Sequence, residues 1–136
     1  MDTHEQSFTP ALSAITLLVD DLQTSREFYS RVFAEDPLWS DEKSTGFGLG
    51  SVVLNLLVTS EGPRLVTPAE PGDPHTGPRS QLAIWVDDID TVVELLQRRG
   101  VTFDTMPEDK PWGMRVATFR DPDDHSWEIA QDLGEA

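Results

Sequence analysis

The sequence predicts a single α+β domain of two βαβββ modules, whose strands form a curled, mixed β-sheet around a central cavity. Three observations predict it: an internal repeat, the same strand–helix–three-strand pattern around each copy, and a length suited to one domain. The chain has 136 residues, enough to bury a substantial core. The repeat is the strongest of the three. Val19-Asp20-Asp21-Leu22, followed by Thr24 and Glu27, recurs as Val86-Asp87-Asp88-Ile89, followed by Thr91 and Glu94, at a constant offset of 67. Phe28 and Leu95 keep the apolar character, and Arg31 and Arg98 continue the register.

Each module opens on a strand. Ile15, Leu17 and Val19 alternate with Ala14, Thr16 and Leu18; Leu82, Ile84 and Val86 alternate with Gln81, Ala83 and Trp85. Period two sends the two sets to opposite faces, one toward the helices and one into the cavity. The aspartate pair then sits where side-chain oxygens cap a helix and suit its dipole. Helical spacing follows, through Leu22, Phe28, Tyr29, Val32 and Phe33 and again through Ile89, Val92, Val93, Leu95 and Leu96. Gly100 is placed to stop the second helix.

Three strands follow each helix. They are expected near Pro37–Trp39, Thr45–Gly48 and Ser51–Val58, then near Val101–Thr105, Gly113–Arg120 and Ser126–Gln131. Asp121-Pro122-Asp123-Asp124 makes the last hairpin turn. Alternation sends Val53, Asn55, Leu57, Ser126, Glu128 and Ala130 to the cavity, and Leu54, Leu56, Trp127 and Ile129 to the core.

The organisation is therefore a disordered N-terminal tail at 1–10, a first module at 11–59, a Pro/Gly-rich linker at 60–79, a second module at 80–132 and a C-terminal tail at 133–136. Pro63, Pro68, Pro71, Pro74 and Pro78 mark the linker as unsuited to a strand pair.

Composition narrows the partners. A formal charge of −15 repels phosphate backbones, which speaks against nucleic acid. The charge serves solubility, or it attracts a cationic ligand. There is no cysteine, so disulfides and thiolate chemistry are excluded. Met1 to Pro10 carries Asp2, His4 and Glu5 without an apolar run, and no segment has the length of a membrane span. A cytoplasmic protein with no membrane partner is expected.

The two openings, the stretch Pro111-Trp112-Gly113-Met114-Arg115 and the end Arg120-Asp121-Pro122-Asp123-Asp124-His125-Ser126-Trp127-Glu128-Ile129 together resemble the vicinal oxygen chelate superfamily. That superfamily includes glyoxalase I, extradiol dioxygenases and bleomycin-resistance proteins. The resemblance covers nearly the whole chain after the tail. It implies paired modules around a cavity, and a homodimer. In metal-using members four side chains of the concave sheet hold a divalent ion; the matching positions here are Ala14, Asn55, Gln81 and Glu128.

That set departs from the pattern. Ala14 has no donor, Asn55 and Gln81 offer neutral carbonyls, and Glu128 alone is a carboxylate, so no metal cofactor is expected; a divalent ion is the alternative. His4, His75 and His125 lack metal-ligand spacing, and no catalytic triad is visible. His75 reads as solvated. At His125 the turn carries Asp124 where the family-like neighbour is glycine, which predicts a different turn backbone.

The cavity is then mostly apolar, with aromatic plates and a few polar groups. The candidate ligand contacts are Trp39, Phe47, Asn55, Gln81, Trp85, Trp112, Met114 and Glu128. Trp85 is the strongest, because alternation sets it opposite Ile84. Phe47 suits core or groove, and Trp39 and Trp112 stand evenly between the two; Phe119 and Trp127 read as core. Flat rings attract planar ligands and cations, and Glu128 offers a counter-charge. The closest resemblance in character is to the bleomycin-resistance-like binding proteins, which implies sequestration of a flat, cationic compound such as an antibiotic. The alternatives are a metal-dependent lyase, isomerase or dioxygenase of the same superfamily, and a regulatory module with a vestigial pocket.

Overall fold

The computed structural model describes residues 10–73, 76–78 and 80–134. His4 and most of the expected N-terminal tail, and His75, lie outside the described residues. In chain order the elements are β1 (Ala14–Val19), α1 (Leu22–Phe33), β2 (Trp39–Ser40), β3 (Ser44–Leu49), β4 (Val52–Val58), α2 (Gly62–Val66), β5 (Gln81–Trp85), α3 (Ile89–Arg98), β6 (Phe103–Asp109), β7 (Met114–Arg120) and β8 (Ser126–Asp132). Two four-stranded mixed sheets result, ordered β1-β4-β3-β2 and β5-β8-β7-β6. In each, the opening strand runs parallel to the closing one and the rest are antiparallel. This is the α+β, two-module architecture the repeat predicts.

The repeated aspartates act as the sequence requires. Asp21 accepts from the Thr24 amide at 3.1 Å, and Asp88 accepts from the Thr91 amide at 3.2 Å and its hydroxyl at 2.8 Å. Gly100, at φ 93°, follows α3 in the left-handed conformation that ends helices. In the proline-rich segment a 3₁₀ turn at Thr59–Glu61 leads into α2. Proline breaks a ladder, but Pro63 in the first turn of α2 has no helical bond to lose. Likewise β6 runs on to Asp109 through Pro107, because β6 is an edge strand and its register shifts between Thr105 and Glu108.

The core explains how the modules sit together. Leu17, Val19, Phe47, Leu54 and Leu56 from the first sheet and Ala117, Phe119, Trp127 and Ile129 from the second are buried in one cluster. α1 bridges them. Tyr29 lies 6.4 Å from Phe47 and 5.9 Å from Trp127, and Phe28 lies 6.1 Å from Phe119. The helix-bearing faces of the two sheets therefore meet, and their opposite faces point outward. The sheets do not close around a common hollow within one chain.

The last hairpin turn locks one module to the other. Tyr29 donates to Asp121 Oδ2 at 2.5 Å and accepts from Trp127 Nε1 at 2.9 Å. Asp123 accepts from the Asp20 amide at 2.9 Å and the Ser25 hydroxyl at 3.2 Å. His125 Nε2 lies 2.9 Å from the Leu18 carbonyl. Burial raises both the Tyr29 phenol and the Asp121 carboxyl above their ordinary pKa values; Asp121's charge adds to the rise at Tyr29. The expected change of turn backbone is corrected here. Asp124 has φ 66°, the left-handed geometry a glycine supplies, and aspartate is among the few side chains that tolerate it.

Candidate functional site

Strand register places the candidate residues. On the outward face of the first sheet, Thr16 pairs with Asn55, Asn55 with Gly46, and Gly46 with Trp39, forming one row across four strands. Trp39 is 40% exposed and lies on Gly46, where an added Cβ would collide with the six-membered ring. Its indole N–H donates to the Ser44 hydroxyl at 3.0 Å. Asn55 donates through Nδ2 to Thr16 Oγ1 at 3.3 Å, and its Oδ1 is buried without a partner among the described residues.

The second sheet carries the matching row. Ala83 pairs with Glu128, Glu128 with Thr118, and Thr118 with Thr105. On the same face Gln81 pairs with Ser126 and donates to its hydroxyl at 3.1 Å. Trp85 stands beside Ala130 and is 67% exposed. Met114 shares this face, half-buried, and Trp112 in the preceding turn is 70% exposed. Glu128 is half-buried, and its carboxylate makes no hydrogen bond or ion pair with any described residue.

The structure thus gathers Trp39 and Asn55 on one outward face, and Gln81, Trp85, Met114 and Glu128 on another, with Trp112 at the latter's end. Phe47 is corrected: it is 1% exposed and packs in the core, 5.8 Å from Phe33. It pairs with Leu54, so it shares the core side of the sheet and not the outward face. Gly46 is the residue sequence reasoning missed. The signal was the alternation Gly46-Phe47-Gly48, with bulk on one side of β3 and none on the other. The inter-module contacts of Asp121, Asp123 and His125 were missed too, because their sequence reads only as a turn.

The four metal-type positions are equivalent in the two sheets: Ala14 faces Val53 as Gln81 faces Ser126, and Asn55 faces Thr16 as Glu128 faces Ala83. Their chemistry is one carboxylate, two carboxamides and an alanine, a set that does not fit a tightly held divalent ion. Among the described residues no three His, Cys, Asp or Glu side chains gather as a metal site needs.

A different cleft lies between the modules on the helix side. It encloses about 590 Å³ and is lined by Leu12, Ile15, Phe33, Leu82, Ile84 and Trp127 among others. β1 and β5, which border it, are both sheet edges, with no strand beyond them among the described residues. Among the described residues no helix is long and apolar enough to cross a membrane.

Known proteins share this architecture. The family described as Glyoxalase/Bleomycin resistance protein/Dioxygenase superfamily matches residues 11–129. YraH of Bacillus subtilis (strain 168), described as uncharacterized, is 30% identical over 122 residues, covering 87% of this chain and 95% of its own. A glyoxalase/bleomycin resistance protein/dioxygenase from Nocardioides superposes with TM-score 0.82 at 27% identity, covering 98% of this chain and 91% of that one. A glyoxalase-related enzyme from Fulvimarina pelagi gives TM-score 0.76 at 25% identity, over 90% and 88% of the two chains. With the two modules, the outward-facing rows and a family match that runs nearly end to end, the chain belongs to the glyoxalase/bleomycin resistance protein/dioxygenase superfamily.

Proposed function

We propose that this protein binds and sequesters a flat, cationic small molecule, such as an antibiotic, without a catalytic metal. One observation carries the reading: the outward rows present the indoles of Trp39 and Trp85 together with a Glu128 carboxylate that has no partner among the described residues. An indole face attracts planar and cationic groups, and an uncompensated carboxylate supplies their counter-charge. The net charge of −15 adds a long-range pull on cations and disfavours nucleic acid. The protein acts in the cytoplasm.

The working form is a homodimer. The two half-faces of one chain point apart, so a closed pocket needs a second copy. Its β5 edge would lie along β1 and its β1 edge along β5, with the apolar cleft between them covered. Trp39 and Asn55 of one chain would then face Glu128 and Trp85 of the other.

Tryptophan fluorescence tests the binding reading, with proflavine and bleomycin as probes. Saturable quenching by at least one probe is expected, weakened about tenfold or more by Trp85→Ala and by Glu128→Gln, one lost stacking or charge contact each. No quenching by either probe would contradict it. A second reading, an enzyme of the same superfamily with Glu128 as general base, is favoured by the similarity to the Fulvimarina pelagi enzyme. Metal-dependent turnover of a glyoxalase-type hemithioacetal substrate, lost in Glu128→Gln, would establish that reading in place of the first.

A further inference from the structure

Asn55 and Glu128 hold equivalent places in the two sheets, each on the closing strand with an opening-strand residue beside it. In the first module that neighbour is Thr16, and Asn55 donates to its hydroxyl at 3.3 Å. In the second it is Ala83, which has no group to offer a carboxylate. The other neighbours of Glu128 direct their donors elsewhere. Gln81 gives its Nε2 to the Ser126 hydroxyl at 3.1 Å, and the Thr118 hydroxyl is engaged with that of Thr105 at 2.7 Å. Two acceptors stay open around Ala83: the Glu128 carboxylate and Gln81 Oε1, neither with a partner among the described residues. Both residues reach solvent, Gln81 exposed and Glu128 half-buried. Trp85, two residues beyond Ala83 on the same face, is 67% exposed. At about 3.3 Å of rise per residue, the α-carbons of Gln81 and Trp85 stand about 13 Å apart, with the exposed Ala83 between them and Glu128 at its side.

We infer that Gln81, Ala83, Trp85 and Glu128 form a seat for a cation rich in N–H donors, an amidinium, guanidinium or primary ammonium group carried on a flat ligand. Its charge lies against the Glu128 carboxylate and the Trp85 indole, and its N–H groups donate to Glu128 and to Gln81 Oε1. This rests on the binding reading above and narrows the kind of cation. A quaternary ammonium keeps the charge and the attraction to the indole but has no hydrogen to donate. Ala83 is a positioning residue: its methyl leaves the floor of the seat open.

Benzamidine and phenyltrimethylammonium separate the two ideas. Each is one benzene ring bearing one positive charge, but the first carries N–H hydrogens and the second none. NMR titration of the wild type, followed at the Trp85 indole N–H, is expected to show benzamidine binding about tenfold or more tightly, the worth of a charge-assisted hydrogen bond. Glu128→Gln is expected to remove most of that preference, and Gln81→Leu roughly a threefold share of it. Ala83→Thr, which gives the second module the hydroxyl that the first has, is expected to weaken benzamidine as well. Equal affinity of the wild type for the two compounds, a preference for the quaternary one, no response to either, or a preference that survives Glu128→Gln would overturn the inference; quenching by proflavine in the same protein would leave the binding reading standing. If proflavine and bleomycin fail to bind as well, both fall. The wild-type comparison needs no variant to fold.

Discussion

Tyr29 is the one tyrosine of the chain, and its hydroxyl joins the modules through Asp121 and Trp127. Tyr29→Phe strands a carboxylate oxygen and an indole N–H in the core, so unfolding by urea is expected to show a loss of about 2–4 kcal/mol. The pH dependence follows from the raised phenol. Above its ordinary value of 10.0 the unfolded chain ionises Tyr29 while the folded chain does not. Stability from this group is thus complete below pH 10 and falls as pH rises beyond it. Tyrosinate absorbance at 295 nm is expected to appear only with unfolding; a rise near pH 10 in folded protein would contradict this burial. Asp124→Gly, which frees a left-handed residue, is expected to stabilise the fold by up to about 1 kcal/mol in the same urea experiment. At this scale the sequence was partly legible. Alternation placed Trp85, Asn55 and Glu128, but Phe47 was ambiguous because β3 carries glycines on its other face; the seated indole of Trp39 gives Gly46 its meaning, while Gly48 faces Leu38.

The elements were legible wherever a period or a cap was written twice. β1 and β5, α1 and α3 begin at the offset of the repeat, and both helices are capped by the second aspartate of the pair. Asp21→Ala is expected to cost about 1 kcal/mol of stability, measured by thermal melting. Asp88 titrates low because the Thr91 hydroxyl and amide bond its ionised form. Its contribution is therefore present above the ordinary carboxyl range and is lost as pH falls through the lowered value, which an NMR titration of the Asp88 carboxyl would follow. The prolines of 60–79 marked a segment without strands among the described residues, as expected, but they did not reveal the short helix within it. Pro63 sits in the first turn of α2 and Pro107 in an edge strand, and neither place requires the amide hydrogen that proline lacks.

For the whole molecule, alternation told which side chains share a face but not which faces meet. That was decided by α1, whose aromatic residues pack on both sheets and turn the helix-bearing faces together. The candidate site is split as a result, and the dimer proposal predicts that sedimentation gives twice the mass of one chain. Ile84→Asp, at the edge of the apolar cleft, is expected to yield monomers with weakened dye binding. The central claim is recognition without a metal, since the four metal-type positions hold one carboxylate, two carboxamides and an alanine, divided between the two sheets. Isothermal titration of chelator-treated protein with proflavine tests it most directly. The account predicts the same affinity and stoichiometry before and after Zn²⁺, Ni²⁺ or Mn²⁺ is added; binding that appears only with one of these ions would contradict it.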